Sequence, residues 1–457
     1  MLHRNTFCAL ALFCFPSFAA ALDVGFESLV AVNVSDNVAG ANADDEPGPQ
    51  TGQIGYGQFG VFGEQKGTQL RGAFSGELYS QRQLDDPDDE FSAVTQFLGA
   101  AEWQITPRSF SWYVGDILGG VRADDALQPI DDSSNTRRNV FVTGPRFVYE
   151  LDSFSRVNAR LLYINQSQDD EQLESLFNSS ASWEFDTDTG NTWGLLFGNI
   201  YTDNPEENQE GDFNRLAMSG YWKRNRGRNT YEAQFGGTQY TTESQSLSGA
   251  NVRFSLARQL GPQSSFSIGL TRDLRDQTLT TIETLFADGT GIAPDADGFF
   301  DETRLDFTYD FTSSKNTFDF SVGAGQSDFR LLADSNGLTL DGDLQDRNNL
   351  YASTSYSRAF TTRARVATTL SYENQDFINS DDNTSSLLGN VQFTYRLSRS
   401  FELQAGYRGT IANGERTRND TLDEIDVTEN RVTFGLRWAP PTRASKDLTI
   451  ELKSLLQ

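Results

Sequence analysis

The chain has almost no cysteine or histidine. Its two cysteines and its single histidine all lie among the first 21 residues, so the chain after residue 21 contains neither. That part of the chain therefore excludes disulfide bridges, thiolate nucleophiles, imidazole bases and His/Cys sites for zinc or haem. An enzyme would have to rely on carboxylates, and among 64 acidic residues some pairs fall close together by chance. We predict no catalytic site, no cofactor and no metal site, and a carboxylate-based envelope enzyme is the weakest interpretation.

Long hydrophobic runs are also missing. After residue 21 no run of 18 apolar residues exists, which excludes a transmembrane helix there. Hydrophobic residues make up only 37% of the chain, yet aromatic residues reach 12% and phenylalanine alone counts 34. A β-barrel reconciles these numbers, because it needs apolar side chains only on its lipid-facing surface. The net charge of −27 argues against nucleic acid as a partner, since a polyanion would be repelled.

The first 21 residues have the pattern of a secretory signal peptide. Arg4 precedes the apolar run Phe7–Phe18, and the small residues Ala19–Ala21 follow. This order of a basic, an apolar and a small-residue segment predicts export and cleavage near Ala19–Ala21. Phe13 stands before Cys14, where a lipoprotein signal has a small residue, so we do not predict lipidation.

Alternating side chains indicate the fold class. In the stretch Leu387–Ile411, apolar and polar residues alternate on both sides of the turn Ser398–Ser400. Each arm has about 10 to 12 residues, the length of a tilted strand that crosses a bilayer. Similar alternation recurs, for example over Leu305–Phe311 and Phe318–Ala324. The repeated hairpins predict an all-β, closed antiparallel transmembrane barrel in the outer membrane of a Gram-negative bacterium.

Short and long connectors alternate strictly along this predicted barrel. The short turns are Glu64–Gly67, Thr106–Arg108, Asp152–Ser155, Asp186–Asn191, Asn225–Asn229, Gly261–Ser264, Ser313–Asn316, Thr361–Arg363 and Ser398–Ser400. The longer connectors are Asn37–Thr51, Leu84–Glu90, Asp124–Arg137, Gln166–Ser175, Asp203–Gly211, Thr242–Ser248, Asp276–Phe300, Leu331–Asp346, Asp376–Asn383 and Ala412–Val427. This alternation is typical of outer-membrane barrels with short periplasmic turns and long external loops.

The turns also give the strand count and the domain limits. The nine short turns define eighteen strands, and one strand before them (Val24–Val34) and one after them (Arg431–Trp438) complete a barrel of about 20. Barrels of 18 or 22 strands are the alternatives. We therefore predict a signal peptide, a single barrel domain over residues 22–438, and a final segment 439–457. That segment is either a periplasmic tail or one further strand, because apolar residues alternate over Leu448–Leu452.

The long connectors are strongly acidic, whereas lysines occur in the short turns at Lys66 and Lys315. The acidic clusters are Asp44–Glu46, Asp85–Glu90, Asp169–Glu171, Glu206–Glu207, Asp381–Asp382 and Asp423–Glu424. Solvated loop charge is the simplest explanation. The alternative is that these carboxylates bind divalent cations shared with lipopolysaccharide, because hard cations prefer oxygen ligands. The longest connector, Asp276–Phe300, either folds inward as a constriction or packs on a neighbouring loop.

In each predicted strand, alternate residues point to opposite faces. If the apolar set of each strand points toward lipid, many charged side chains point into the barrel. The residues that we predict to line the lumen are Arg71, Glu77, Arg146, Arg160, Arg215, Glu232, Arg253, Arg304, Asp306, Asp319, Arg396, Glu402, Arg408 and Arg431. Both signs of charge are present, so the pattern selects neither cations nor anions. An arginine on the lipid face at mid-membrane would cost roughly 2 to 4 kcal/mol, which supports this choice of faces. Asp116 is the exception, because its parity points it to lipid; a bulge near Gly115 is one way to redirect it.

Three short motifs resemble a known family. They are Val32–Asn37 (VNVSDN) before an acidic loop, Trp103–Arg108 (WQITPR) at a turn, and Asn139–Phe147 (NVFVTGPRF). The chain resembles the outer-membrane β-barrel proteins of porin type that Gram-negative bacteria encode with exopolysaccharide and exosortase-sorting systems. The resemblance spans the chain after residue 21 in architecture, and it implies a role in surface-polysaccharide export and no catalytic residues. The segment 439–457 departs from it, since outer-membrane barrels usually end on the aromatic residue of the last strand, here Trp438.

The sequence therefore predicts a porin-like outer-membrane channel for polar solutes, and the resemblance implies a link to exopolysaccharide export. The competing interpretation is a non-conducting structural or adhesive barrel. The partners expected from the fold are outer-membrane lipid, lipopolysaccharide and the barrel-assembly machinery, with no nucleic acid. The resemblance adds polysaccharide and export-system proteins.

Overall fold

A computed structural model describes residues 22–37, 50–85, 92–120, 137–168, 171–187, 190–203, 212–242, 246–276, 299–330, 346–378, 382–418 and 421–441. The predicted signal peptide lies outside these residues, as do most of the final segment, most of the connector Asp276–Phe300 and most of the acidic clusters. The predictions made for those segments therefore stay predictions.

The described chain forms twenty β-strands that close into one ring. They are β1 (Leu22–Ser35), β2 (Gly52–Lys66), β3 (Leu70–Gln83), β4 (Ser92–Thr106), β5 (Phe110–Gly120), β6 (Arg137–Glu150), β7 (Ser155–Gln168), β8 (Glu171–Asp186), β9 (Asn191–Asp203), β10 (Phe213–Arg226), β11 (Asn229–Thr242), β12 (Ser246–Gly261), β13 (Ser264–Asp276), β14 (Phe299–Thr312), β15 (Asn316–Arg330), β16 (Arg347–Ala359), β17 (Ala364–Phe377), β18 (Asn383–Arg396), β19 (Phe401–Arg418) and β20 (Thr421–Trp438). Each strand pairs antiparallel with the next, and β1 also pairs with β20. This ring confirms the predicted closed antiparallel barrel of 20 strands. Among the described residues, no helix has the length and hydrophobicity needed to cross a membrane.

The nine hairpin turns lie together at one end of the barrel, which we call the short-turn end; the opposite end is the long-connector end. All nine turns overlap the predicted ones, although the turn between β2 and β3 spans residues 67–69 and is displaced from the predicted Glu64–Gly67. In the turn between β18 and β19, the Leu397 N–H donates to the Phe401 carbonyl at 2.9 Å, and the Ser398 hydroxyl accepts from the Phe401 N–H at 3.2 Å. A serine side chain that replaces a backbone acceptor in this way is what makes such a tight turn favourable.

Two of the predicted long connectors are wrong. The segment Gln166–Ser175 is occupied largely by the paired ends of β7 and β8, with a register shift at Gln166, and Ala412–Val427 is occupied by the paired ends of β19 and β20. The first and last strands are correspondingly longer than the predicted Val24–Val34 and Arg431–Trp438. The polar composition of these segments misled the prediction, because backbone hydrogen bonds hold a ladder together whatever the side chains are.

The outer face of the barrel is apolar. Large apolar side chains on it are exposed, and several are more than half exposed, among them Val30 (66%), Met218 (60%), Phe235 (62%) and Phe434 (61%). Toward the short-turn end this face carries exposed aromatic residues, namely Trp103, Trp112, Phe147, Tyr149, Phe154, Trp183, Phe185, Trp193, Phe360 and Phe401. Monomeric soluble proteins rarely expose a continuous apolar surface of this kind. An apolar band flanked by aromatic residues is the outer surface of a transmembrane barrel.

Candidate functional site

The concave inner face is identified by side chains that meet across strands that are not neighbours. Arg215 on β10 donates from Nη2 to the Asp273 carboxylate on β13 at 3.3 Å, although two strands separate them. Arg304 on β14 donates from Nη2 to the Tyr351 hydroxyl on β16 at 2.9 Å, across β15. Such contacts form only inside the ring. They therefore fix which parity of each strand points inward, because side chains alternate between the two faces.

The charged residues predicted for the lumen can now be placed. Residues that face each other on paired strands lie on the same face of the sheet, so the inward-pointing set can be followed from these contacts around the whole ring. The residues on the inner face include Arg71, Glu77, Arg146, Arg160, Arg215, Glu232, Arg253, Arg304, Asp306, Asp319, Arg396, Glu402, Arg408 and Arg431. The structure thus brings all of them to one surface. That they border a water-filled passage stays a prediction.

Ion pairs form a belt on this inner face near the short-turn end. The pairs are Arg71–Glu102 (3.1 Å), Lys223–Glu232 (2.6 Å), Arg396–Glu402 (3.3 Å), Arg437–Glu402 (3.4 Å), Arg437–Glu27 (2.5 Å) and Arg156–Glu184. Most of them join residues that face each other on adjacent strands, such as Arg71 and Glu102. The arginine side chains remain partly accessible, whereas the carboxylates of Glu27 and Glu102 are buried beside them. Removing an arginine would leave such a carboxylate buried without its partner, which is costly. The belt presents closely spaced charges of both signs to the interior.

A second polar group, centred on Asp273, lies nearer the long-connector end. The Asp273 carboxylate accepts hydrogen bonds from Arg215 (3.3 Å), Thr238 (3.1 Å) and Asn251 (3.2 Å). The guanidinium carbon of Arg215 also lies 5.8 Å from the centroid of the Tyr240 ring. Four consecutive strands, β10 to β13, each contribute a side chain. Sequence analysis identified Arg215 but missed Asp273, because the two residues are 58 positions apart and no local spacing connects them.

Part of the inner face of β3 to β9 is an apolar wall, which lies among the charged residues Arg71, Arg146 and Arg160 of the same face. Its buried members are Ala73, Ala100, Tyr113, Val140, Val142, Leu162, Ile164, Leu176 and Ile200. On β6, Val140 and Val142 point inward while Phe141 points outward, so both faces of this strand are apolar. The rule that the apolar parity faces lipid cannot separate the faces of such a strand. The charged inner surface is therefore interrupted by an apolar patch.

Asp116 remains on the outer parity. Its cross-strand partners are Gly99 on β4 and Phe141 on β6, and both ladders run through this position without interruption. The register shift between β4 and β5 lies near Gln104. The predicted bulge near Gly115 is therefore wrong. The alternation of apolar and polar residues in the sequence assigned Asp116 to the correct face. The carboxyl group lies half-buried among outer-face side chains.

No protein-family model and no curated protein sequence matches this chain. Solved structures do match it. The FrpB iron transporter from Neisseria meningitidis (F3-3 variant) aligns with a TM-score of 0.50 at 9% identity and covers 91% of this chain and 81% of its own. The siderophore receptor PirA from Pseudomonas aeruginosa has a TM-score of 0.47 at 10% identity, over 91% and 80%. Acinetobacter baumannii OccAB4 has 0.41 at 10%, over 93% and 100%. At such identities the similarity to FrpB shows a shared barrel fold.

Proposed function

We propose that this protein is an outer-membrane channel for polar solutes, with its short-turn end in the periplasm. The observation that carries the proposal is the contrast between the two faces of a closed ring. Apolar side chains such as Phe434 cover the outside, and ion pairs such as Lys223–Glu232 lie inside. A polar interior within an apolar wall is how a barrel carries water and solutes across hydrocarbon. The fold shared with the FrpB iron transporter supports a transport role.

The link to exopolysaccharide export is the finer part of the proposal, and the sequence motifs support it. One motif, Val32–Asn37, has a structural role here as well. The Asp36 carboxylate accepts hydrogen bonds from the Asn430 backbone N–H (2.6 Å) and side-chain amide (2.7 Å), and Asn37 donates to the Thr428 carbonyl at 3.3 Å. These bonds join β1 to β20 at the seam that closes the barrel. The proposed role in export therefore depends on the family resemblance, and binding of an acidic oligosaccharide would test it.

A specific observation favours a second candidate, a structural or adhesive barrel that does not conduct. The group around Asp273, the aromatic contact between Phe213 and Phe299, and the apolar wall place paired or packed side chains inside the ring. If such groups fill the cross-section, no continuous water path remains. Conduction separates the two candidates.

Cellular location provides the first test of the proposal. Expressed from the full sequence in a Gram-negative host, the protein is expected to lose residues 1–21 and to sediment with the outer membrane. It should migrate faster in detergent gels before boiling than after it, because a closed ladder of twenty strands resists detergent. Recovery as a soluble periplasmic protein with one gel mobility would contradict the proposal.

Conduction across a planar bilayer provides the second test. The folded protein is expected to give discrete current steps, and Gly198→Trp should reduce them, because Gly198 lies on the inner face of β9 where an added Cβ meets nothing within 4 Å. Gly220→Trp is the matched control: Gly220 lies on the outer face of β10, and its nearest neighbours would be 3.9 Å away. Its current should equal that of the unmodified protein. If none of the three proteins gives current steps, although the gel mobility of each shows that it is folded, the channel proposal is wrong and the non-conducting structural barrel remains.

A further inference from the structure

One half of the short-turn end is basic in a chain whose net charge is −27. The turns after β10, β12, β16 and β18, with four residues on either side, carry Lys223, Arg224, Arg226, Arg228, Arg258, Arg358, Arg363, Arg365, Arg396 and Arg399. Within the same segments the acidic residues are Glu232 and Glu402. The turn after β14, counted in the same way, adds Lys315, Asp310 and Asp319. Eleven cationic groups against four carboxylates make this half of the rim positive, and a field of that sign raises the local concentration of anions.

One cleft in this rim, which we call the arginine cleft, gathers guanidinium groups from neighbouring strand ends. It measures about 730 Å³, and Arg363, Arg396, Arg399 and Arg437 line it, with Glu402 as the one acidic residue of the lining. This volume lies within the range of sites that bind small molecules. The Thr362 and Ser398 side chains also line the cleft and add hydroxyl groups beside the charges.

The four arginines of the cleft are not equivalent. Arg396 and Arg437 are held by Glu402, at 3.3 Å and 3.4 Å. Arg363 and Arg399 are exposed, and no carboxylate in the described part of the chain pairs with either side chain. Guanidinium groups bind carboxylates and phosphates through two parallel hydrogen bonds. The cleft therefore combines two fixed positive charges with two guanidinium groups whose donors remain available to a ligand.

We propose that the arginine cleft binds the carboxylate groups of an acidic polysaccharide as it approaches the periplasmic mouth of the barrel. This inference rests on the proposed function and adds the substrate class: a polymer of uronic acid type rather than a neutral glycan or a small cation. The sequence predicts acidic long connectors at the opposite end, and connectors of that kind would give it the opposite sign. An acidic chain is attracted at the entrance and repelled at the exit, so the exit does not retain it.

Binding of oligogalacturonate to the folded, detergent-solubilised protein tests this inference by calorimetry. Exchanging the two available guanidinium groups in the double variant Arg363→Gln/Arg399→Gln is expected to raise Kd about tenfold, because charge-assisted hydrogen bonds are lost. The matched control, Arg226→Gln/Lys315→Gln, removes two exposed positive charges from other turns of the same rim. Its Kd should change by less than about twofold, since screening weakens exposed charges at a distance. A malto-oligosaccharide of equal length should not bind.

Three results would overturn the site. The first is that oligogalacturonate does not bind. The second is that both double variants weaken its binding equally. The third is that phosphatidylglycerol vesicles or inorganic phosphate bind in place of the uronate. The gel mobility of each variant shows that it is folded. Failure of the site and failure of the channel are distinguishable. Conduction without uronate binding keeps the channel and removes the site, whereas uronate binding without conduction keeps the site and removes the channel.

Discussion

Replacing Val391 with arginine is expected to block assembly of the barrel, whereas the same replacement at the next residue, Gln392, is expected to be tolerated. Val391 lies on the outer face and is 44% exposed, and Gln392 lies on the inner face. A charge that faces hydrocarbon at mid-membrane costs roughly 2 to 4 kcal/mol, a large fraction of the total stability of about 5 to 15 kcal/mol that is typical of folded proteins. The inner-face variant adds a charge where charges already lie.

The ladder itself shows that Val391 is near mid-height. One row of outer-face partners begins at Ser264, the first residue of β13, and ends at Gln53, near the long-connector end of β2. Val391 lies near the middle of this row, five strands from Ser264 and four from Gln53. The strands of a barrel are tilted, so such a row climbs from one rim to the other. Phe393 lies two residues closer to the short-turn end, where the penalty for a charge is smaller.

The measurement compares the heat-sensitive folded band of the two variants in outer-membrane fractions, with expression judged from the boiled samples. We expect the folded band of Val391→Arg to fall at least several-fold below that of Gln392→Arg. Equal folded bands would mean that both faces meet water, and the lipid-facing surface would have to be reassigned.

The fold could be predicted from the sequence because its information is local. Each hairpin is defined by its own turn residues, such as Ser398, and by alternation over the strands on either side. Closure of the ring follows once an even number of strands is counted. The extent of the strands could not be predicted in the same way. At the long-connector end, polar strand extensions such as those in Ala412–Val427 look like loops, because beyond the membrane no lipid enforces alternation.

The candidate site was less accessible to sequence reasoning for two physical reasons. Partners such as Arg215 and Asp273 come together through the curvature of the ring, which brings side chains three strands apart into contact, and one sequence carries no trace of that distance. On β6, Val140 and Val142 are apolar on the inner face, so hydrophobicity no longer distinguishes inside from outside. Asp116 shows the converse: parity located it correctly, and the assumption that a carboxyl group must avoid the outer face was wrong.

Replacing Gly144 with alanine is expected to destabilise the barrel, because β6 approaches β7 most tightly there. A Cβ at Gly144 would lie 1.9 Å from the Leu161 carbonyl oxygen and 2.9 Å from its carbonyl carbon. Backbone atoms cannot turn aside as a flexible side chain can. The next residue, Pro145, has no N–H, and the ladder between β6 and β7 lacks pairs at both positions. The strands would have to separate, and overpacking of this kind costs about 1 to 3 kcal/mol or more.

The matched control is Gly198→Ala. Gly198 also lies in a strand at an inner-face position, but a Cβ added there meets nothing within 4 Å. Removing a glycine without a steric clash stabilises a protein by about 0.4 to 1 kcal/mol through the unfolded chain, so this variant should match or exceed the unmodified barrel. The measurement is the temperature at which the folded gel band disappears. We expect it to fall for Gly144→Ala and to stay level or rise for Gly198→Ala. If both variants melt together, the close approach of β7 at Gly144 does not hold in the folded protein, and the arrangement of Arg146 and Arg160 beside it on the inner wall would have to be revised.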